Sequence, residues 1–110
     1  MKCINYIGRD LLTGDRIADA IMEYATVLAR RARADRVDIP VLIDDRVSHV
    51  EVILGPASQL MVESVQDGRE EPVDDALIAD LEQRAGRLRD PRPMAVPEGS
   101  SVELSDDWLK

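Results

Sequence analysis

Aromatic residues are almost absent from this chain. Phenylalanine is missing, and only two tyrosines and one tryptophan occur among the 110 residues. The core must therefore be aliphatic, and the 30 isoleucine, leucine and valine residues are too many for a disordered chain. A chain of this length is expected to form one domain, which buries roughly two-thirds of the surface that the unfolded chain exposes.

Cysteine and histidine occur once each, as Cys3 and His49. A single cysteine cannot form an internal disulfide and does not suggest secretion, and apolar neighbours favour a buried, structural thiol. One cysteine and one distant histidine cannot supply the ligands of a zinc site. The paired acidic residues fall at turns, helix caps and the C-terminal end, where they have local roles. We therefore expect no metal and no other cofactor.

Long apolar runs are also missing. No stretch approaches the ~18 residues that a membrane-spanning helix needs, and the N-terminus lacks the pattern of a signal peptide. These absences predict a soluble, cytoplasmic protein with no membrane partner.

The chain carries a formal net charge of −8. Its acidity and its lack of aromatic residues beside basic ones argue against a nucleic-acid partner, because phosphate attraction and base stacking are both missing. The only dense basic patch is "RRARADR", which contains Arg30, Arg31, Arg33 and Arg36. Such a patch complements the dipole at the end of a helix, and it also suits docking of an acidic segment, including the chain's own C-terminal end.

The local patterns predict four strands and two helices. Strand periodicity covers residues 2–8, 37–43, 50–54 and 60–66, and helical patterns cover residues 15–34 and 74–90. Thr13 or Asp15 is expected to cap the first helix, and Asp74 the second. Residues 9–14 are predicted to be a connection. Pro40 cannot donate to a sheet, so its strand is expected to lie at an edge or to have that position pointing out.

These elements predict an α+β fold in the order β-α-β-β-β-α, arranged as a two-layer sandwich. The long helix would carry the second strand back beside the first in parallel, and strands two to four would form an antiparallel meander. Residues 1–90 form the predicted domain. Residues 91–110 form a proline-rich, acidic C-terminal tail, in which a short extended piece is expected at 101–104.

The long helix has an unusually wide apolar face, which spans about 240° of its circumference, whereas a helix on one sheet needs little more than ~100°. We expect it to be covered on two sides, so that Tyr24 and Val27, with Arg31 as the one charge inside the arc, are candidate interface residues. Trp108, the only tryptophan, lies in the acidic tail and is a fourth candidate. These features favour a homo-oligomer or binding to a protein partner.

The loop Gly55–Gln59 interrupts two apolar runs in "ILGPASQLMV". It lacks the lysine and the following helix of a phosphate-binding loop, so we interpret it as a bend between strands. Ser58 and Gln59 are nevertheless candidate ligand-binding residues. His49 and Glu51, two residues apart on one strand face, are candidates to join them in a ligand-binding or hydrolytic site.

Two hypotheses on function follow, since no motif specifies a family. The first is a non-enzymatic domain that acts by self-association or by binding a protein, without catalytic residues. The alternative is a small-ligand-binding or hydrolytic site at Gly55–Gln59 with His49 and Glu51. A third interpretation, an acidic partner that neutralises a basic protein, depends on charge alone.

Overall fold

The computed structural model describes residues 1–89; the predicted tail at 91–110 lies outside the described residues. Seven elements follow one another: β1 (Lys2–Tyr6), β2 (Arg9–Thr13), α1 (Asp15–Arg30), β3 (Asp35–Ile43), β4 (Arg46–Leu54), β5 (Leu60–Ser64) and α2 (Asp75–Arg89). Two helices and one five-stranded sheet confirm the α+β class. The order is β-β-α-β-β-β-α, with one strand more than predicted.

The additional strand is β2, which the sequence analysis assigned to a connection. It forms an antiparallel hairpin with β1, in which Tyr6 lies opposite Arg9. The turn consists of Ile7 and Gly8, both with positive φ angles, 53° and 78°. Positive φ at both central positions is the geometry that matches the twist of a two-residue hairpin. An isoleucine there gives no turn signal, so the hairpin was missed.

The sheet order is β4-β3-β2-β1-β5, which corrects the predicted connectivity. β1 pairs antiparallel with β2 and β5, so the strand after the helix does not lie beside β1. β3 and β4 form the expected antiparallel hairpin, and a single antiparallel bridge, Leu12 opposite Leu42, joins β3 to β2. The predicted meander ends at β4, because β5 pairs with β1 instead.

Pro40 lies in an interior strand, so the first of the two alternatives for this residue, an edge strand, is wrong. Asp44 and Asp45 form the turn of the β3–β4 hairpin with φ angles of 52° and 64°, and the resulting register places Pro40 opposite His49. A two-residue turn makes this a non-hydrogen-bonded pair, so β4 needs no donor from Pro40. On the other side, the Pro40 carbonyl accepts a 2.7 Å hydrogen bond from the buried hydroxyl of Thr13.

Helix α1 begins differently from the prediction. Its N-cap is Gly14, which has no capping side chain, since Thr13 is engaged by Pro40 and Asp15 lies 3.0 Å from the N-terminal amine. The carboxylate of Glu71 accepts the backbone N–H of Asp15 at 2.8 Å and so caps the helix from a distant segment. Helix α2 has the expected cap, with the Leu77 N–H donating to Asp74 at 3.0 Å.

The wide apolar face of α1 is covered within the chain. The helix contacts β1 and β5 and also packs along α2. The resulting core is aliphatic apart from one tyrosine, and its members come from both helices and four strands: Ile4, Leu11, Ile17, Ala18, Ile21, Tyr24, Ala25, Val27, Leu28, Val37, Ile39, Val41, Val52, Leu54, Ile78, Leu81 and Ala85. Neither helix within residues 1–89 combines the length and the apolar character that a lipid bilayer crossing requires.

Candidate functional site: an open sheet edge and an arginine-lined cleft

The loop Gly55–Gln59 is a closed turn. The Ser58 hydroxyl donates to the Ile53 carbonyl at 3.1 Å and accepts the Gly55 N–H at 3.0 Å. The Ser58 N–H donates to the Gly55 carbonyl at 3.0 Å. A Cβ on Gly55 would lie 3.1 Å from the Ala34 side chain, so glycine also allows close packing here. The serine hydroxyl is therefore used by the backbone of its own turn.

A shallow cleft of about 660 Å³ lies beside this turn. Ser58 and Gln59 line it together with the tip of the β1–β2 hairpin and the start of β5. His49 and Glu51 do not line this cleft: on β4, the Nδ1 of His49 is 3.3 Å from Asp38, and Glu51 is 3.9 Å from Arg36. The four predicted ligand residues thus divide between two places.

The outer edge of β4 exposes backbone hydrogen-bonding groups. Because Ile43 and Arg46 flank a two-residue turn, they form a hydrogen-bonded pair, and every second pair along the hairpin does the same. The N–H and C=O groups of Val47, His49, Glu51 and Ile53 consequently point away from β3. The contact between Pro40 and Thr13 agrees with this alternation, because it directs the Pro40 carbonyl toward β2.

One end of this edge is closed and the rest is open. The Ile53 carbonyl accepts hydrogen bonds from the hydroxyls of Tyr6 and Ser58. Among residues 1–89, no strand other than β3 pairs with β4, and no further backbone contact reaches Val47, His49 or Glu51. Unpaired edge groups are satisfied by water or by another strand, and a nine-residue edge is long for a protein that leaves it uncovered.

The solvent face of β4 has an apolar side chain at each end and two polar side chains in the middle. Val47 is 56% exposed and Ile53 is 62% exposed, and the polar residues His49 and Glu51 lie between them. Apolar side chains this exposed near an open edge favour contact with another surface more than an isolated exposed residue does.

A polar cluster ties three elements together near the beginning of β3. Asp35 accepts hydrogen bonds from the Tyr24 hydroxyl of α1 and from the Arg84 guanidinium of α2, the latter at 2.9 Å. Arg84 also contacts Asp80 at 2.7 Å, as expected from their spacing. Burial and the bond to Asp35 raise the pKa of Tyr24 to about 12. Burial opposes ionisation of Asp35, but its hydrogen bonds outweigh this and lower its pKa.

This cluster forms one wall of a cleft of about 670 Å³, which we call the arginine cleft. Its polar lining contains four arginines and one aspartate, and its apolar lining comes from α1 and α2. The lining residues are Tyr24, Leu28, Arg33, Ala34, Asp35, Arg36, Arg84, Arg87 and Leu88. The sequence analysis found half of this basic surface, and it missed Arg84 and Arg87 because they are 50 residues further along the chain.

The candidate interface residues have separate locations. Tyr24 and Val27 are 3% and 5% exposed, inside the core of the same chain. Arg31 is exposed, and its guanidinium donates to the Arg89 carbonyl at 3.2 Å. Trp108 lies outside the described residues.

Within residues 1–89, no group of three or more histidine, cysteine, aspartate or glutamate side chains converges as a metal site would require. Cys3 is buried, and burial, with the charges of Asp10 and Glu63, raises the pKa of its thiol. A raised pKa disfavours the thiolate that reactive cysteines use. Searches of protein-family models, curated proteins and solved structures gave no match to this chain.

Proposed function

We propose that this domain is a non-enzymatic protein-interaction module that self-associates by pairing the β4 strands of two copies. The open backbone groups of Val47, His49 and Glu51 carry this proposal. In the two-layer sandwich that we expect from the sequence, two sheets joined in this way would continue across a twofold axis. Such antiparallel edge pairing is a common mode of strand addition.

The side chains of β4 favour one register for this pairing. With the twofold axis at Val50, His49 lies opposite the partner subunit's Glu51, and Val47 lies opposite the partner subunit's Ile53. The imidazole can donate a hydrogen bond to that carboxylate, and apolar cross-strand pairs stabilise antiparallel strands by roughly 0.2–1 kcal/mol per pair. An axis at His49 would instead oppose two histidines and place Val47 against a carboxylate, so the first register is favoured.

The same register agrees with the hydrogen-bond inventory. His49 and the partner subunit's Glu51 would exchange two backbone bonds, and the symmetry-related pair would exchange two more. The outer pair contributes less, because the Ile53 carbonyl that would face the partner subunit's Val47 already accepts two hydroxyls; the two central pairs do not involve it. Dimerisation would thus use the groups that the monomer leaves open.

Sedimentation velocity over a range of protein concentrations tests this proposal. We expect the wild-type chain to be in a monomer–dimer equilibrium. Glu51→Lys should raise the dissociation constant of the dimer, because it replaces the carboxylate that faces the partner's histidine with a lysine. Exchanging the pair, with His49→Glu and Glu51→Lys together, should restore the dimer. The matched control is Glu63→Lys on β5, an exposed charge reversal at the opposite edge, which should leave the equilibrium unchanged.

His49→Pro tests the backbone pairing itself. The N–H of His49 points away from β3, so the pairing of β4 with β3 does not use it, and proline removes only a donor at the open edge. It should abolish the dimer with an unchanged circular dichroism spectrum; if it unfolds the chain, the charge variants still decide. A wild-type chain that remains monomeric at its highest soluble concentration would contradict self-association.

The small-ligand alternative has one favourable observation, the cleft that Ser58 and Gln59 line. A ligand there would contact these two residues and the hairpin tip, without His49. Chemical-shift mapping with a fragment library tests it: shifts confined to Gln59 and the residues around it would support this site. If no fragment shifts the resonances of the residues that line the cleft, the small-ligand alternative would be contradicted.

A further inference from the structure

The arginine cleft combines positive charge with an apolar floor. Arg33, Arg36, Arg84 and Arg87 line it against the single carboxylate of Asp35, a formal balance of +3 in a chain whose net charge is −8. The half-buried Leu88 supplies apolar surface between the two helices, above the buried Leu28. A concentration of positive charge in an acidic protein favours an anionic occupant.

The arginines of the cleft differ in whether they have a carboxylate partner. Arg84 is held by Asp35 and Asp80, and Arg36 lies 3.9 Å from Glu51. Within residues 1–89, no carboxylate lies within ion-pair distance of Arg33 or Arg87. Since Tyr24 and Arg84 already occupy Asp35, this carboxylate does not neutralise the other two arginines. Arg33 and Arg87 can therefore pair with an anion from another segment.

The sequence that follows helix α2 contains an anionic segment. Helix α2 ends at Arg89, next to the cleft residues Arg87 and Leu88, and 21 residues follow. Their formal balance is −3, and the stretch "VELSDDWL" at 102–109 mixes three carboxylates with valine, leucine and tryptophan. The 12 residues at 90–101 reach at most about 40 Å, which is ample for a return to a cleft beside the helix end.

We propose that residues 102–109 bind in the arginine cleft of their own chain. Asp106 and Asp107 pair with Arg33 and Arg87, and Trp108 packs on the apolar floor or on a guanidinium plane. Single exposed ion pairs are weak, but a tethered segment binds at an effective concentration on the order of millimolar, so several weak contacts suffice.

Fluorescence of the full-length chain tests this directly, because Trp108 is the only tryptophan. In the wild-type chain we expect a blue-shifted emission maximum and slow acrylamide quenching. The double variant Arg33→Glu, Arg87→Glu should shift the maximum to that of the denatured chain and speed the quenching. Arg9→Glu is the matched control, since Arg9 is an exposed arginine of β2 that does not line the cleft, and it should change neither value.

A charge exchange separates binding from indirect damage. Adding Asp106→Arg and Asp107→Arg to the double variant should restore the blue-shifted emission, which a merely altered surface would not do. Circular dichroism checks that each variant stays folded. A wild-type emission maximum equal to that of the denatured chain would overturn the proposal, and so would an unchanged maximum in the double variant.

The dependence of the emission maximum on protein concentration shows whether the bound segment belongs to the same chain or to a second copy. Intramolecular binding gives an emission maximum that is the same at all protein concentrations, whereas docking into a second copy gives a blue shift that grows with concentration. The latter result would overturn binding within one chain. Loss of the β4 dimer in His49→Pro should leave the emission unchanged, because His49 does not line the cleft, so this test is independent of the proposed self-association.

Discussion

The hydroxyl of Tyr24 donates a hydrogen bond to the carboxylate of Asp35, linking the middle of α1 to the first residue of β3. Arg84 donates to the same carboxylate from α2. Asp35 therefore connects both helices to the sheet at the end of the molecule where α1 turns into β3. A tyrosine of the apolar face thus has an intramolecular polar partner.

Tyr24→Phe removes this hydroxyl and should lower the free energy of unfolding by about 1.5–3 kcal/mol, the usual range for a hydrogen bond to a charged group. Urea denaturation measures the change. Tyr6→Phe is the matched control: its hydroxyl bonds the exposed Ile53 carbonyl, which Ser58 also serves, so a loss below about 1 kcal/mol is expected. Equal losses for both variants would contradict a special role for Asp35.

An alkaline titration followed by ultraviolet absorbance should show the late ionisation of Tyr24. The pKa of Tyr24 is raised to about 12, because burial and the bond to Asp35 disfavour the phenolate. Folding thus raises the pKa of an acid that is neutral in the native state. The stabilisation is complete below pH about 10 and is lost as the pH rises toward 12. Tyr24→Phe should remove the absorbance change near pH 12; an unchanged titration curve in this variant would contradict the assignment to Tyr24.

Val27→Glu should unfold the chain, because Val27 is buried between α1 and its neighbours and a carboxylate there has no partner. Thermal denaturation followed by circular dichroism checks this. Thr26→Glu, one residue earlier and exposed, is the control and should change stability by less than about 0.5 kcal/mol. A folded Val27→Glu variant with an altered oligomeric state would instead place Val27 at an interface between chains.

The sequence predicted those parts of the fold that depend on local pattern. Both helices, the strands at 37–43 and 60–66, the Asp74 cap and the Asp44-Asp45 turn all follow from periodicity and turn residues. The wide apolar face of α1 correctly indicated a cover on two sides. The second surface packed on α1 could have been α2 or another chain. The choice depends on how α2 packs, and the hydrophobic periodicity of the sequence gives no information on that.

The errors have physical causes in long-range contacts. Residues 9–13 carry only two apolar side chains in a row, and their strand is specified by pairing with β1 across an Ile7-Gly8 turn. Pro40 is tolerated inside the sheet because its register opposite His49 asks for no donor from it, and because the Thr13 hydroxyl, 27 residues away, donates to its carbonyl. The arginine cleft likewise needed the packing of α2 against α1 to become visible. The hydrophobic periodicity of a segment can be deduced from neighbouring residues, but the strand or helix that it pairs with cannot.

The tightest backbone approach lies at Gly14, the N-cap of α1. A Cβ there would lie 2.2 Å from the carbonyl oxygen of Pro72, so Gly14→Ala must displace either the helix start or the segment that carries Glu71. We expect a loss of about 1–3 kcal/mol in the free energy of unfolding, as in other overpacked sites. Glu71 should also lose its bond to the Asp15 N–H.

Gly86→Ala is the matched control for this substitution. Gly86 lies inside α2, and no atom lies within 4 Å of the position that its Cβ would take. The same change should therefore stabilise the chain by up to about 1 kcal/mol, because alanine favours the helix over glycine. Opposite signs in urea denaturation would confirm that the space at Gly14, rather than glycine flexibility in general, is what the fold requires. A neutral Gly14→Ala would mean that the Pro72 segment does not lie against the start of α1.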